Sequence, residues 1–124
     1  MSNMFQDVKD FQTAVGQNVG TKPQFPSASE RILRMKLLKE EFDEYNEGET
    51  NNDLENIAKE LADIIYIVCG TAVSYGIPLD RVFDEVHRSN MAKLVDGKPV
   101  RRDDGKILKP EGWTPPDVKK ILYP

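Results

Sequence analysis

Hydrophobic residues recur at helical spacing as far as Lys93, and beyond it the period disappears. Phe5, Val8, Phe11 and Val15 fall three or four residues apart, as on one helix face, and Gly16 follows as a stop. QNVGTKPQFPSAS mixes Gly, Pro and Ser and reads as a loop. Ser27, with Glu30 three residues on, is a capping-box pattern opening a second helix expected to end near Gly48. GETNN is a turn. Asn52 followed by Glu55 then caps a third helix, which runs to Tyr75 and is closed by Gly76 and Pro78. A fourth, LDRVFDEVHRSNMAK, carries Val82, Phe83 and Val86.

From Leu94 the texture changes. VDGKPV and RRDDGKIL each centre on an Asp-Gly pair, which predicts tight turns or short hairpins. KPEGWTPPD is too rich in proline for regular structure. The pattern therefore predicts an all-α domain: an antiparallel four-helix bundle over residues 1–94, with residues 95–124 forming an irregular arm of the same domain. The nearly all-apolar run Ile64 to Val73 suits a helix buried on both sides, as cores shared between copies require.

Composition narrows this picture. A chain of 124 residues, 39% hydrophobic and 31% charged, is expected to form one soluble domain. Its net charge of −4 argues against electrostatic binding of nucleic acid. The single cysteine, Cys69, excludes an internal disulfide and reads as a small core residue. The longest uncharged stretch, Ile64 to Leu79, contains two glycines and a proline and is shorter than the ~20 apolar residues of a membrane span. With no basic leader pattern, a cytoplasmic protein without membrane partners is expected.

The acidic residues change the picture most. On the second helix Met35, Leu38, Phe42 and Tyr45 share one apolar arc, while Lys36, Lys39, Asp43 and Glu47 fall opposite. Glu41 and Glu44 belong to neither face. They share a stripe with Leu33 and Leu37, expected at the edge of the core, and Glu40 borders it. On the third helix Glu60 and Asp63 lie beside an arc of Leu54, Ile57, Leu61, Ile64 and Val68. Each cluster uses i, i+3 spacing, and folding the helices about GETNN lets the clusters meet. Residues 40 to 63 hold ten acidic side chains and one basic, Lys59. Facing carboxylates repel unless a cation lies between them, and hard oxygen donors on bundle helices select Mg²⁺ or Mn²⁺.

Such a site keeps positions for substrate phosphates, which in turn need cations. Residues 93 to 109 supply six basic side chains against three acidic ones. Arg88, Asn90 and Lys93 end or follow the fourth helix and are candidates for a triphosphate. Gln17 and Asn18 can hydrogen-bond a base edge, and Trp113 can stack on one.

EExxE, followed after fifteen residues by ExxD on the next helix, resembles the all-α nucleoside triphosphate pyrophosphohydrolases. These include MazG proteins, dimeric dUTPases, dCTP pyrophosphatases and phosphoribosyl-ATP pyrophosphohydrolase. The stretch FDEVHRSNMAKLVDGKPVRRDDGKILKPEGWTPPD is similar to a single-domain branch of bacteria and phages. The resemblance implies cleavage of a (d)NTP between its α- and β-phosphates, giving monophosphate and pyrophosphate, with two or more Mg²⁺ or Mn²⁺ ions. It implies metal ligands at Glu41, Glu44, Glu60 and Asp63, with Glu40 as a further ligand or the base that orients water. It implies triphosphate contacts at Asn90 and Lys93, to which charge adds Arg88. A homodimer or homotetramer and a purine substrate such as dGTP follow from the same resemblance, in a bacterial cell or a phage-infected host. Phosphoribosyl-ATP, in histidine synthesis, is the alternative within the family. From another class, a non-catalytic acidic helical module could bind a basic partner, but its groove would not need leucines between its carboxylates.

Overall fold

A computed structural model describes residues 3–124; Met1 and Ser2 lie outside the described residues. Helices dominate it: α1 (Met4–Ala14), α2 (Ala28–Thr50), α3 (Leu54–Tyr75), α4 (Leu79–Met91) and the short α5 (Val118–Leu122). A two-stranded ribbon, β1 (Leu94–Val95) and β2 (Lys98–Pro99), follows α4. The fold is all-α, and the chain divides into two compact units, one ending at Leu79 and the other running Asp80–Pro124.

In the first unit the helix starts follow their caps. Ser27 Oγ accepts the Glu30 N–H at 3.2 Å and opens α2. The reciprocal half of the box is absent, because Glu30 Oε2 instead accepts from Asn18 Nδ2 at 3.0 Å. α3 is capped by Asp53, whose Oδ1 accepts the Asn56 N–H at 3.1 Å, and not by Asn52, which takes the left-handed turn at φ 51°. α2 runs through Gly48 to Thr50. A Cβ there would lie 3.0 Å from Asn56 Nδ2 and 3.1 Å from Ile57 Cγ1, so glycine serves close helix packing and not a stop.

α3 packs against both α2 and α1. The side of α2 turned to α3 carries Glu30, Arg34, Leu37, Glu41, Tyr45 and Gly48, its less exposed positions. On α3 the matching positions are Ile57, Glu60, Ile64, Ile67, Gly70 and Ser74. This refines one expectation: Glu41 and Leu37 of the carboxylate stripe lie in the seam between the helices, while Glu44 and Leu33 are exposed. Much of each apolar arc lies outside the seam, with Met35 64%, Phe42 53% and Leu61 48% exposed, while Tyr45, Ile57 and Ile64 enter it. Periodicity shows that a helix has two candidate faces, and only the pairing decides which one is used. Cys69, Ala72, Val73 and Val8 are the buried hydrophobic residues, in agreement with a core role for Cys69.

The loop between α1 and α2 laces over the end of α3. Gly20 N–H donates to Val73 O at 2.8 Å, Asn18 Nδ2 to Ser74 O at 3.3 Å, and Gln24 N–H to Tyr75 O at 3.0 Å. Ser74 O and Tyr75 O, left free by the helix end, are thereby satisfied, and Val73 O gains a second donor beside the Gly76 N–H at 3.2 Å. Phe25 meets Tyr75 edge-on, and Arg31 stacks on Phe25 at 4.2 Å.

In the second unit the Asp-Gly turns form as expected. Asp96 and Gly97, at φ 52° and 76°, link β1 to β2, and Arg101 bridges Ile107 around Gly105. α5 is absent from the sequence expectation. Asp117 caps it, accepting the Lys120 N–H at 3.1 Å. No single helix among the described residues is long and apolar enough to cross a membrane.

Candidate metal centre

One carboxylate oxygen each from Glu41, Glu60 and Asp63 gather within 4.8 Å of one another. α2 supplies the first, and α3 supplies the other two one turn apart. Glu60 is only 2% exposed, while Glu41 and Asp63 are half-buried. Lys59 lies over one side, its Nζ 2.8 Å from Asp63 Oδ2 and 3.4 Å from Glu60 Oε1. On the other side Glu41 Oε2 and Glu60 Oε2 are buried, and neither has a hydrogen-bond partner among the described residues.

Neighbouring carboxylates with buried oxygens that lack donors need a proton or a cation between them. With a proton, Glu41 hydrogen-bonds Glu60. That bond, reinforced by burial and by the charges of Glu60, Glu44 and Asp63, pushes the Glu41 carboxyl up to about 7. Glu60, accepting the same bond, is held below the ordinary carboxylate range despite its burial. Glu44 is also raised, chiefly through Glu60, and lies exposed at the rim. Glu40 is exposed and outside the triad. A hard divalent cation fits the orphaned oxygens and a donor set made wholly of carboxylates.

Two turns before Glu41 on the same side of α2 is Arg34, which the motif reading did not single out. Its Nε donates to Thr71 Oγ1 at 3.0 Å and its Nη2 to Ile67 O at 2.8 Å. Burial presses against its charge, and Glu30 offsets part of that pressure. The available signal was its spacing of seven residues from Glu41.

The remaining candidates have definite surroundings. Asn18 uses its amide on Glu30 and Ser74, and Gln17 is exposed. In the second unit Arg88 grips Glu85 through Nε and Nη2, at 2.7 and 3.0 Å. Lys93 donates to Asn90 Oδ1 at 3.1 Å. Trp113 anchors its Nε1 on Ser89 O at 2.6 Å, with Lys109 and Lys93 over its ring at 4.8 and 5.7 Å.

The sequence model of phosphoribosyl-ATP pyrophosphohydrolase matches residues 8–90, which is 83 of the 124 residues and includes both acidic clusters. The chain belongs to the phosphoribosyl-ATP pyrophosphohydrolase family. It thereby joins the MazG-like all-α NTP pyrophosphohydrolases. Within this phosphoribosyl-ATP pyrophosphohydrolase family member, the match ends at Asn90, so the Asp-Gly hairpins and the Trp113 segment lie beyond it. A comparison with curated proteins gives no match.

Proposed function

We propose that the protein is a metal-dependent pyrophosphohydrolase of nucleoside triphosphates, converting a (d)NTP and water to the monophosphate and pyrophosphate. The observation that carries this reading is that Glu41 Oε2 and Glu60 Oε2 are buried without a donor, in carboxylates that each bring an oxygen within 4.8 Å of the other and of Asp63. Glu41, Glu60 and Asp63, with Glu44 at the rim, would hold Mg²⁺ or Mn²⁺. Bound there, the ion would neutralise phosphate oxygens and acidify a water. Glu41 and Glu60 share a proton when no cation is present, so they exchange that proton for the divalent charge. Glu40, next to Glu41 and exposed, is assigned to orient the attacking water. Asn90 and Lys93 are assigned to the triphosphate together with Arg88, whose Nε and Nη2 already serve Glu85.

We also propose a homo-oligomer, dimer or tetramer. In the first unit Phe11, Leu61, Ile65 and Val68 remain exposed, and this is more apolar surface than isolated exposed leucines explain.

The test is incubation with each of the eight common NTPs and dNTPs and Mg²⁺ or Mn²⁺, with products resolved by chromatography. Monophosphate and pyrophosphate, lost in Glu41→Gln and Asp63→Asn, are expected. The family name supplies the second reading, phosphoribosyl-ATP as substrate. Turnover of that compound alone would establish it.

A further inference from the structure

Arg34 is an expensive residue for a seam between helices, where a leucine would fill the space without desolvating a charge. The chain also makes room for it. A Cβ on Gly70 would stand 2.5 Å from Arg34 Nη2 and 2.5 Å from Gln12 Oε1, so only glycine lets α1 and α2 bring these two polar groups together over α3. Gln12 is itself buried, and its Nε2 is held by Asn18 O and Ser74 Oγ.

The guanidinium is fixed along two of its three nitrogens, Nε on Thr71 and Nη2 on Ile67 O. Its Nη1 donates to nothing among the described residues, and it is not among the buried orphan atoms. A rigid, planar donor with an unused edge is therefore presented from the seam. Arg34 and Glu41 are seven residues apart on one side of α2, about 10 Å along the helix axis. A nucleotide whose phosphates meet the carboxylates extends its sugar and base over a comparable length.

We infer that Arg34 reads the base of the substrate, and that this base presents a carbonyl at purine C6 or pyrimidine C4: guanine, uracil or thymine, in preference to adenine or cytosine, which carry an amino group there. The inference rests on the nucleoside triphosphate reading above. Arginine has donors only. It pairs with guanine O6 and N7, or with the O4 of uracil and thymine, and meets a competing donor at the amino groups of adenine and cytosine. Thr71 and Ile67 O orient it, and Gly70 gives it space.

The experiment compares kcat/KM for dGTP, dUTP, dATP and dCTP in the wild-type chain, Arg34→Met, Arg34→Lys and Thr71→Val. The Mn²⁺-induced rise in melting temperature is recorded for each. The wild type is expected to favour dGTP or dUTP. Arg34→Met should lose roughly 5- to 150-fold on the keto substrates. Its preference for the keto substrates over dATP and dCTP should disappear, while its response to Mn²⁺ stays as in the wild type. Arg34→Lys, which keeps the charge and loses the fork, should fall with it, and Thr71→Val should fall part-way. A wild type that prefers dATP or dCTP overturns the inference. So does an Arg34→Lys enzyme with unaltered ranking, which also covers the case in which Arg34→Met does not fold. Turnover by the wild type of none of the four, nor of any of the other common NTPs and dNTPs, removes the triphosphate reading itself, whereas the other outcomes leave that reading intact.

Discussion

Glu41 and Glu60 bring carboxylate oxygens within 4.8 Å of each other across the seam of α2 and α3, and the Oε2 of each is buried with no donor among the described residues. Replacing Glu41 by Gln supplies an amide donor at that junction and removes one charge. The variant is expected to melt higher than the wild type in EDTA and to lose the gain that Mn²⁺ gives the wild type. Hydrolysis should fall more than about 100-fold, beyond the range seen when a residue merely supporting a ligand is removed. Calorimetry with and without Mn²⁺ checks both. An unchanged Mn²⁺ response would remove Glu41 from the ligand set.

The same pair makes the metal-free protein sensitive to pH. Glu41 has its folded pKa near 7, above its ordinary value of 4.5. The folded state therefore holds a proton that the unfolded chain has released, and stability falls as pH rises from about 4.5 through about 7. Glu60, shifted the other way, acts below that window, so the two effects do not overlap. Divalent binding should release close to one proton at pH 6 and much less at pH 8. Titration calorimetry in buffers of different ionisation heat measures this directly.

Glu85 gathers the second unit. It accepts from both Arg88 nitrogens and from the Asp117 N–H, and these bonds hold its carboxyl down to about 2. Its contribution is present above the ordinary carboxylate pKa and is lost as pH falls through that depressed value. Glu85→Ala should free the segment that carries Trp113. Trp113 is the sole tryptophan, so a red-shifted emission and faster proteolysis after Arg101 would report it. Emission identical to wild type would show that Ser89 alone keeps the ring in place.

Gly76 and Gly97 both have positive φ, but their surroundings differ. A Cβ on Gly76 would lie 2.1 Å from Lys22 O, whereas one on Gly97 meets nothing within 4 Å. Gly97→Ala should cost only the left-handed backbone preference, about 1–2 kcal/mol. Gly76→Ala should cost clearly more, because the loop over α3 must also move. Urea titrations of the two variants give the comparison.

The exposed face of α3 should be covered by another copy. Light scattering is expected to give a multiple of 14.1 kDa, and Leu61→Arg with Ile65→Arg should reduce it to that mass. A wild-type protein already at 14.1 kDa would refute the oligomer.

The acidic pair was legible because i, i+3 spacing and helix period are local properties that a sequence displays directly. The Asp-Gly turns were legible for the same reason, since Asp96 and Gly97 tolerate the positive φ that the hairpin needs. Pairing is not local. Met35, Leu38 and Phe42 looked like the buried side of α2 because they are apolar, but α3 meets the side bearing Arg34 and Glu41. Gly48 was read as a stop because glycine usually ends helices, and its actual role depends on Asn56 and Ile57 from the next helix. Asp53 displaced Asn52 as the cap of α3 by a single residue, a choice settled by which backbone takes the left-handed turn.

The strap over the end of α3 carries a consequence for how the chain folds. Asn18 and Ser74 are 56 residues apart in sequence, and their bond needs the last turn of α3 to exist first. Closing so long a loop is favourable only once α2 and α3 have paired, so the strap belongs to the late, native side of the barrier. Weakening it, as in Gly20→Ala, should leave the refolding rate nearly unchanged and speed unfolding. The strap thus acts as a latch on the lifetime of the folded state and takes little part in reaching it.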